Sequence, residues 1–137
     1  MVGVLTTTPE GRRSELFIRT IAGGLTSEET IHFLKDLKRH LCGRKLLLIW
    51  DGLPAHRARI VTDYAAAESS WLRTVRLPSY APEVNPIEYC WGAMKKKHLG
   101  NLRAEGMEAL GTALRRAKLR MNDSNLLRGF LEASGLY

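Results

Sequence analysis

The sequence predicts a single mixed α/β domain ordered β-β-α-β-α-β-α-α-α. Three observations lead there. The first residues alternate and turn as two strands would, two apolar runs each sit beside a helical pattern, and the last third repeats apolar residues at helical spacing. A chain of 137 residues is long enough for one domain with a buried core.

The elements follow in order. "VGVLTTTPEGRRSELFIRTI" reads as two strands around a turn: Pro9 and Gly11 supply the turn, while Leu16, Ile18 and Ile21 supply apolar positions. "TSEETIHFLKDLKRHL" reads as a helix. Thr26 and Glu29 have capping-box spacing, Ile31, Leu34, Leu37 and Leu41 share a face, and Gly43 ends it. "KLLLIW" is a strand apolar on both faces, as in a covered parallel sheet. Pro54 opens a helix running to about Ala67, and "WLRTVRLP" is a further strand. "SYAPEVNP" is a proline-punctuated loop. It leads into the helix "NPIEYCWGAMKKKH", with Asn85 as N-cap, Pro86 at the first helical position and Gly100 as its expected end. "EGMEALGTALRRAKLR" and "DSNLLRGFLEA" are two more amphipathic helices, the first weakened by Gly106 and Gly111. Ile87, Trp91 and Met94 share a face and read as core. Trp71 and Tyr80 can stack on bases, but packing explains them better.

Composition narrows the function. Twenty-one Lys+Arg against 14 Asp+Glu give a net charge of +7, with a pI near 9.8. That balance favours a polyanionic partner, nucleic acid before an anionic membrane surface, though a merely soluble basic surface explains it equally well. Cys42 and Cys90 are the only cysteines, and without a secretion-signal pattern they are expected as reduced thiols in a cytosol. His40 and Cys42 have no second pair to complete a zinc site. The longest unbroken apolar run is strand-length, too short for a transmembrane helix.

Two carboxylates stand out. Asp51 ends the central apolar strand, and in open α/β sheets ligands gather at that end. A turn Asp explains it too, because "DG" is a common turn pair. Glu88 falls at the third position of the "NPIE" helix, where it can bond back to the cap's backbone N–H, or can face the same cleft as Asp51 and share a Mg²⁺ with it. His56 lies one turn into the next helix, placed to orient a nucleophile or contact phosphate. Basic clusters at Arg57 and Arg59, at Lys95, Lys96 and Lys97, and at Arg115, Arg116, Lys118 and Arg120 are either solvated faces or a phosphate-binding surface.

"LLLIWDGLPAHRA" followed by "VRLPSYAPEVNPIEYCWGAMKK" resembles the catalytic domain of IS630-type transposases of the Tc1/mariner superfamily. "TIHFLKDL" resembles the helix before the strand that carries the family's second Asp, and the resemblance covers roughly residues 1–120. It implies a ribonuclease H-like mixed sheet flanked by helices. It also implies a DDE enzyme that cuts and joins DNA at transposon ends with Mg²⁺ or Mn²⁺. Carried over, Asp51 resembles the second acid and Glu88 the third, both as metal ligands, at slightly more than the family's usual separation. His56 and Asn85 match supporting positions, and Arg57, Arg59, Lys95, Lys96 and Lys97 would meet DNA.

The family's first Asp stands on a strand before the N-terminal hairpin, yet no Asp precedes Asp36, which sits mid-helix on the polar side. The expectation is therefore a partial catalytic domain over residues 1–137, lacking the first, central strand and the helix-turn-helix region. It is expected to be inactive alone. Its expected partners are double-stranded DNA and either a second copy or an upstream transposase polypeptide, with no membrane involvement, in a bacterial cytoplasm near the nucleoid. The alternative is a catalytically dead basic DNA-binding or interaction module derived from a transposase. A self-sufficient ribonuclease H-like nuclease is a third, weaker reading.

Overall fold

The computed structural model describes residues 1–78, 81–96 and 107–135. The chain forms two compact units. The first comprises the two N-terminal residues and Arg19–Ala81; the second comprises Gly3–Ile18 and the chain from Pro82 onward.

In the first unit, α1 (Ser27–His40) starts as the capping pattern requires: Thr26 is the N-cap and its hydroxyl accepts the Glu29 N–H. The helix ends at Leu41, and Gly43 follows in the left-handed region at φ 74° with its N–H on the Lys38 carbonyl. The strand β3 (Leu46–Trp50) runs parallel to β4 (Leu72–Arg76), with Leu48 opposite Thr74 and Trp50 opposite Arg76. Between them lie α2 (Pro54–Arg57) and α3 (Arg59–Ala67). Phe33, Leu34 and Leu37 of α1, Leu48, Val61, Trp71 and Leu72 are buried here.

Two expectations need correction. The helix opened by Pro54 is not continuous to Ala67: Ala58 adopts an extended conformation (ψ 140°) and divides it into α2 and α3. Nothing in "AHRARIV" breaks a helix by propensity. His56 of α2 stacks on Trp50, while Val61 of α3 is wholly buried, so the two segments face different neighbours. Secondly, β3 is covered on one face only. Leu48 is 5% exposed, whereas Leu47 is 59% and Ile49 38% exposed, and Val75 opposite Ile49 is also exposed.

In the second unit, β1 (Val2–Thr7, its first residue counted with the other unit) pairs with β2 (Ser14–Arg19, except Arg19). Their connection is too short for a parallel crossover, and Gly11 takes the positive φ of 66° that the turn needs. A single 3₁₀ turn (Pro82–Val84) precedes α4 (Pro86–Met94), and α5 (Met107–Met121) and α6 (Ser124–Ala133) follow. Asp123 caps α6 by accepting the N–H groups of Asn125 and Leu126. Leu16, Cys90, Met94, Ala117, Met121 and Leu127 form the core, with Ile87 and Trp91 packed on it, as the shared helical face predicts. Lys97, Tyr80, Gly100 and Gly106 lie outside the described residues.

The described strands make two pairs, β1 with β2 and β3 with β4, and one edge of β3 has no strand partner among the described residues. None of the described helices is long and apolar enough to cross a membrane. Cys42 and Cys90 are free thiols, one exposed and one buried.

Candidate active site

β3 delivers its chain end to Asp51. The last strand residue, Trp50, is tied to the β4 side by the Leu77 N–H on its carbonyl at 2.8 Å. Asp51 then makes the turn that its "DG" sequence suggested: its Oδ1 accepts the Leu53 N–H at 3.1 Å. The same oxygen receives Nδ1 of His56 at 2.8 Å, and that nitrogen lies 3.3 Å from the Asp51 carbonyl oxygen. An ionised carboxylate only accepts, so Nδ1 carries the proton. The imidazole stacks on the Trp50 indole, with centroids 4.6 Å apart and planes within 9°. His56 is thereby almost enclosed, its side chain 12% exposed against 41% for Asp51. Oδ2 of Asp51 accepts no hydrogen bond among the described residues. The turn role therefore occupies one carboxylate oxygen and leaves the other open to solvent or a cation.

Glu88 stands in the first turn of α4, in the second unit. Its capping role is not realised. The Asn85 N–H that a capping-box Glu would accept is donated to the Pro82 carbonyl at 3.0 Å. The Asn85 side chain, although at the N-cap position, makes no cap bond either. Glu88 is exposed and has no ion-pair or hydrogen-bond partner for its side chain among the described residues. The 3₁₀ turn thus satisfies the cap's backbone and leaves the Asn85 and Glu88 side chains without a capping role.

Asp36, the earliest Asp in the sequence, is engaged elsewhere. It binds Arg19 at 3.0 Å and also pairs with Arg39, on the surface of α1. Among the described residues, no three His, Cys, Asp or Glu side chains gather as a metal cluster, and His40 and Cys42 are both exposed without forming one.

The basic residues divide. Arg57, Lys95 and Lys96 are exposed, while Arg59 faces Asp63 at 3.6 Å with both side chains largely in solvent. Lys118 lies over the Phe17 ring, and Arg115 donates to Thr112. Trp71 is buried, with its indole N–H on Glu68, so it belongs to the core. The sequence pattern misses Arg76. The parallel register sets it opposite Trp50, and its Cδ lies 3.8 Å from where a side chain on Gly52 would begin. It shares the carboxyl end of the β3–β4 pair with Asp51, a placement only strand register reveals.

The sequence pattern of the DDE superfamily endonucleases matches residues 8–111, a span that holds Asp51, His56, Asn85 and Glu88. The chain belongs to that family. The fold of this DDE endonuclease chain is ribonuclease H-like, similar to the Mos1 transposase catalytic domain. Solved with raltegravir and Mn, that domain superposes with a TM-score of 0.68 at 18% identity over 89% of this chain. Its structure with raltegravir and Mg gives 0.67 at 18% identity over 89%. The chain spans 65% of the length of each of these domains. No curated protein sequence matches this DDE family member.

Proposed function

We propose that this chain is part of the catalytic domain of an IS630-type transposase, contributing the second and third acids of a DDE site that cleaves and transfers DNA strands. The observation that carries the reading is the open Oδ2 of Asp51 at the carboxyl end of β3, within a chain of the DDE endonuclease family. Asp51 and Glu88 are the metal-binding residues in this reading. Carboxylate oxygens with no protein partner are the hard donors that Mg²⁺ or Mn²⁺ takes. When bound, the metal ions supply Lewis-acid stabilisation of the entering and leaving oxygens at the phosphodiester. The chain's own residues do the rest: Asp51 and Glu88 fix where the cations stand, Asn85 borders Glu88, and Arg57, Arg59, Arg76 and Lys95–Lys97 attract the DNA backbone.

The first acid, in this reading, comes from an upstream transposase polypeptide, because Asp36 is committed to Arg19 and Arg39. Such a polypeptide, or a second copy of the chain, would also pair with the edge of β3 that has no strand partner among the described residues. Sedimentation tests self-association directly. A clean monomer at micromolar concentration with cooperative unfolding would refute it. The setting is a bacterial cytoplasm, on nucleoid DNA.

The test is a nicking assay on supercoiled plasmid with Mn²⁺. The chain alone should not nick. The chain together with the upstream polypeptide should nick, and Asp51→Asn or Glu88→Gln should abolish it. Robust nicking by the chain alone, lost in Asp51→Ala, would overturn the division of the acids. The second reading is a catalytically dead basic DNA-binding module, favoured by the +7 charge and the lack of a three-ligand cluster among the described residues. It would be upheld if no combination nicks and Mn²⁺ does not bind.

A further inference from the structure

We infer that His56 is a positioning residue that locks the rotamer of Asp51, so that a divalent cation meets one preset oxygen, Oδ2. The inference rests on the reading of Asp51 as a metal ligand.

Three contacts immobilise the ring. It lies flat against the Trp50 indole at 4.6 Å. Its Nδ1 donates to Asp51 Oδ1 at 2.8 Å. Its backbone is held in the single turn of α2, where the Leu53 carbonyl accepts the N–H groups of both His56 (2.9 Å) and Arg57 (3.2 Å). Apart from His56, the Asp51 side chain is held only by the Leu53 N–H on Oδ1 at 3.1 Å, and it stands just beyond β3 with 41% of its surface exposed. The burial difference sets the direction of the effect. The enclosed, stacked imidazole is the fixed partner, and the exposed carboxylate is the group being oriented. With both the Leu53 N–H and Nδ1 on Oδ1, that oxygen is occupied. Oδ2 is then the oxygen left for a cation, and one that also took Oδ1 would have to compete with His56. Hydrogen bonds that aim a ligating carboxylate in this way generally matter almost as much as the ligands themselves.

The same geometry accounts for two features the family resemblance leaves open. A histidine five residues after the acid needs a tight turn to return to it, which Asp51–Leu53 and α2 provide. An aromatic residue immediately before the acid gives the imidazole its platform.

The experiment measures Mn²⁺ affinity of the full chain by the loss of the free-ion electron paramagnetic resonance signal, with thermal unfolding of each variant recorded alongside. Wild type should bind and Asp51→Asn should not. His56→Ala should weaken binding about 10- to 100-fold. His56→Asn restores an N–H donor near the Nδ1 position and should recover most of that loss. Should His56→Ala fail to fold, the ¹⁵N shifts of the wild-type imidazole decide: the neutral ring should carry its proton on Nδ1, and a proton on Nε2 would overturn the inference. Wild-type affinity in a folded His56→Ala, with Asp51→Asn still deficient, removes the positioning role and leaves the metal site standing. Absence of binding in wild type, or undiminished binding in Asp51→Asn, removes the metal-site reading and this inference with it.

Discussion

Oδ1 of Asn122 accepts the backbone N–H of Leu16 at 2.9 Å, joining the exit of α5 to the middle of β2. Two residues earlier on the same strand, the Ser14 N–H reaches the Ser124 hydroxyl at 3.3 Å. Successive outward N–H groups of β2, both on buried residues, are thus met by side chains from the α5–α6 connection. A strand edge left unpaired inside a protein is costly, and here polar side chains replace a strand. Asn122→Ala strands the Leu16 N–H away from water, and we predict a loss of about 1–3 kcal/mol in urea unfolding. Asn122→Asp keeps the acceptor and should lose less. An unchanged midpoint in Asn122→Ala would show that water replaces the amide.

Gly3 on β1 is required by contact rather than by backbone angle. A Cβ there would stand 2.9 Å and 3.0 Å from two carbons of the Trp91 ring and 3.3 Å from Ile18 Cγ1. Trp91 packs against the second unit's core, so it has little room to retreat. Gly3→Val should cost about 1–3 kcal/mol by overpacking. Trp91→Phe, which removes the clashing ring carbons, should make the same change cheaper, and a double-mutant cycle measures that coupling. Strict additivity would mean that the two residues do not constrain each other.

Locally encoded features were legible in the sequence. The Thr26 cap, the Pro9–Gly11 turn and the apolar stripe of Ile87, Trp91 and Met94 rest on spacings of a few residues, and each stands in the structure. Features set by tertiary partners were not. The break at Ala58 has no sequence marker, since Ala and Arg both favour helix. The run "KLLLIW" looks doubly buried because leucines do not reveal which face will be covered, and Leu47 and Ile49 remain exposed. At the site, Asp51 and His56 were legible as a pair of positions. That Trp50 is the platform for His56, rather than only the last strand residue, depends on the turn that folds α2 back, which sequence spacing does not encode. The competing explanations of Glu88 turned on where the Asn85 N–H goes, and the Pro82 carbonyl that takes it belongs to a 3₁₀ turn within what read as a loop.

In the first unit, Glu68 should make stability depend on acid pH. Its carboxyl is held below the usual range, first by the hydrogen bond from the Lys38 ammonium at 2.6 Å and then by the Trp71 indole N–H. A pKa lower in the folded than in the unfolded chain means that the native state binds fewer protons. The contribution is therefore complete above the unfolded value and is lost as pH falls through the depressed folded value. Urea midpoints between pH 7 and pH 3 should fall more steeply for wild type than for Glu68→Gln, which cannot titrate. Parallel curves would contradict the assignment.

The two thiols should differ sharply in reactivity. Burial in the second unit's core pushes the Cys90 thiol up to about 12, so almost no thiolate exists at neutral pH. Cys42 is exposed at the end of α1, in a left-handed conformation at φ 51°. Ellman's reagent should titrate one thiol per native chain quickly and the second only after denaturant is added. Two rapid equivalents would mean that the Cys90 core opens readily.

Duplex DNA, finally, should bind through charge and without sequence preference. The +7 balance and the exposed Arg57, Lys95 and Lys96 provide the phosphate contacts that the proposed function needs. Each such contact releases counterions, so log K should fall linearly with log salt, with a slope of about 0.9 per phosphate neutralised. Arg57→Ala or Lys96→Ala should weaken binding uniformly across sequences and reduce that slope by about one unit. Arg12, in the β1–β2 turn and outside the proposed DNA-facing set, serves as the control, and Arg12→Ala should leave the slope unchanged. If all three variants shift the slope alike, the protein attracts DNA by net charge alone. If none does, the basic residues near Asp51 and Glu88 are a solvated face and the DNA contacts lie elsewhere.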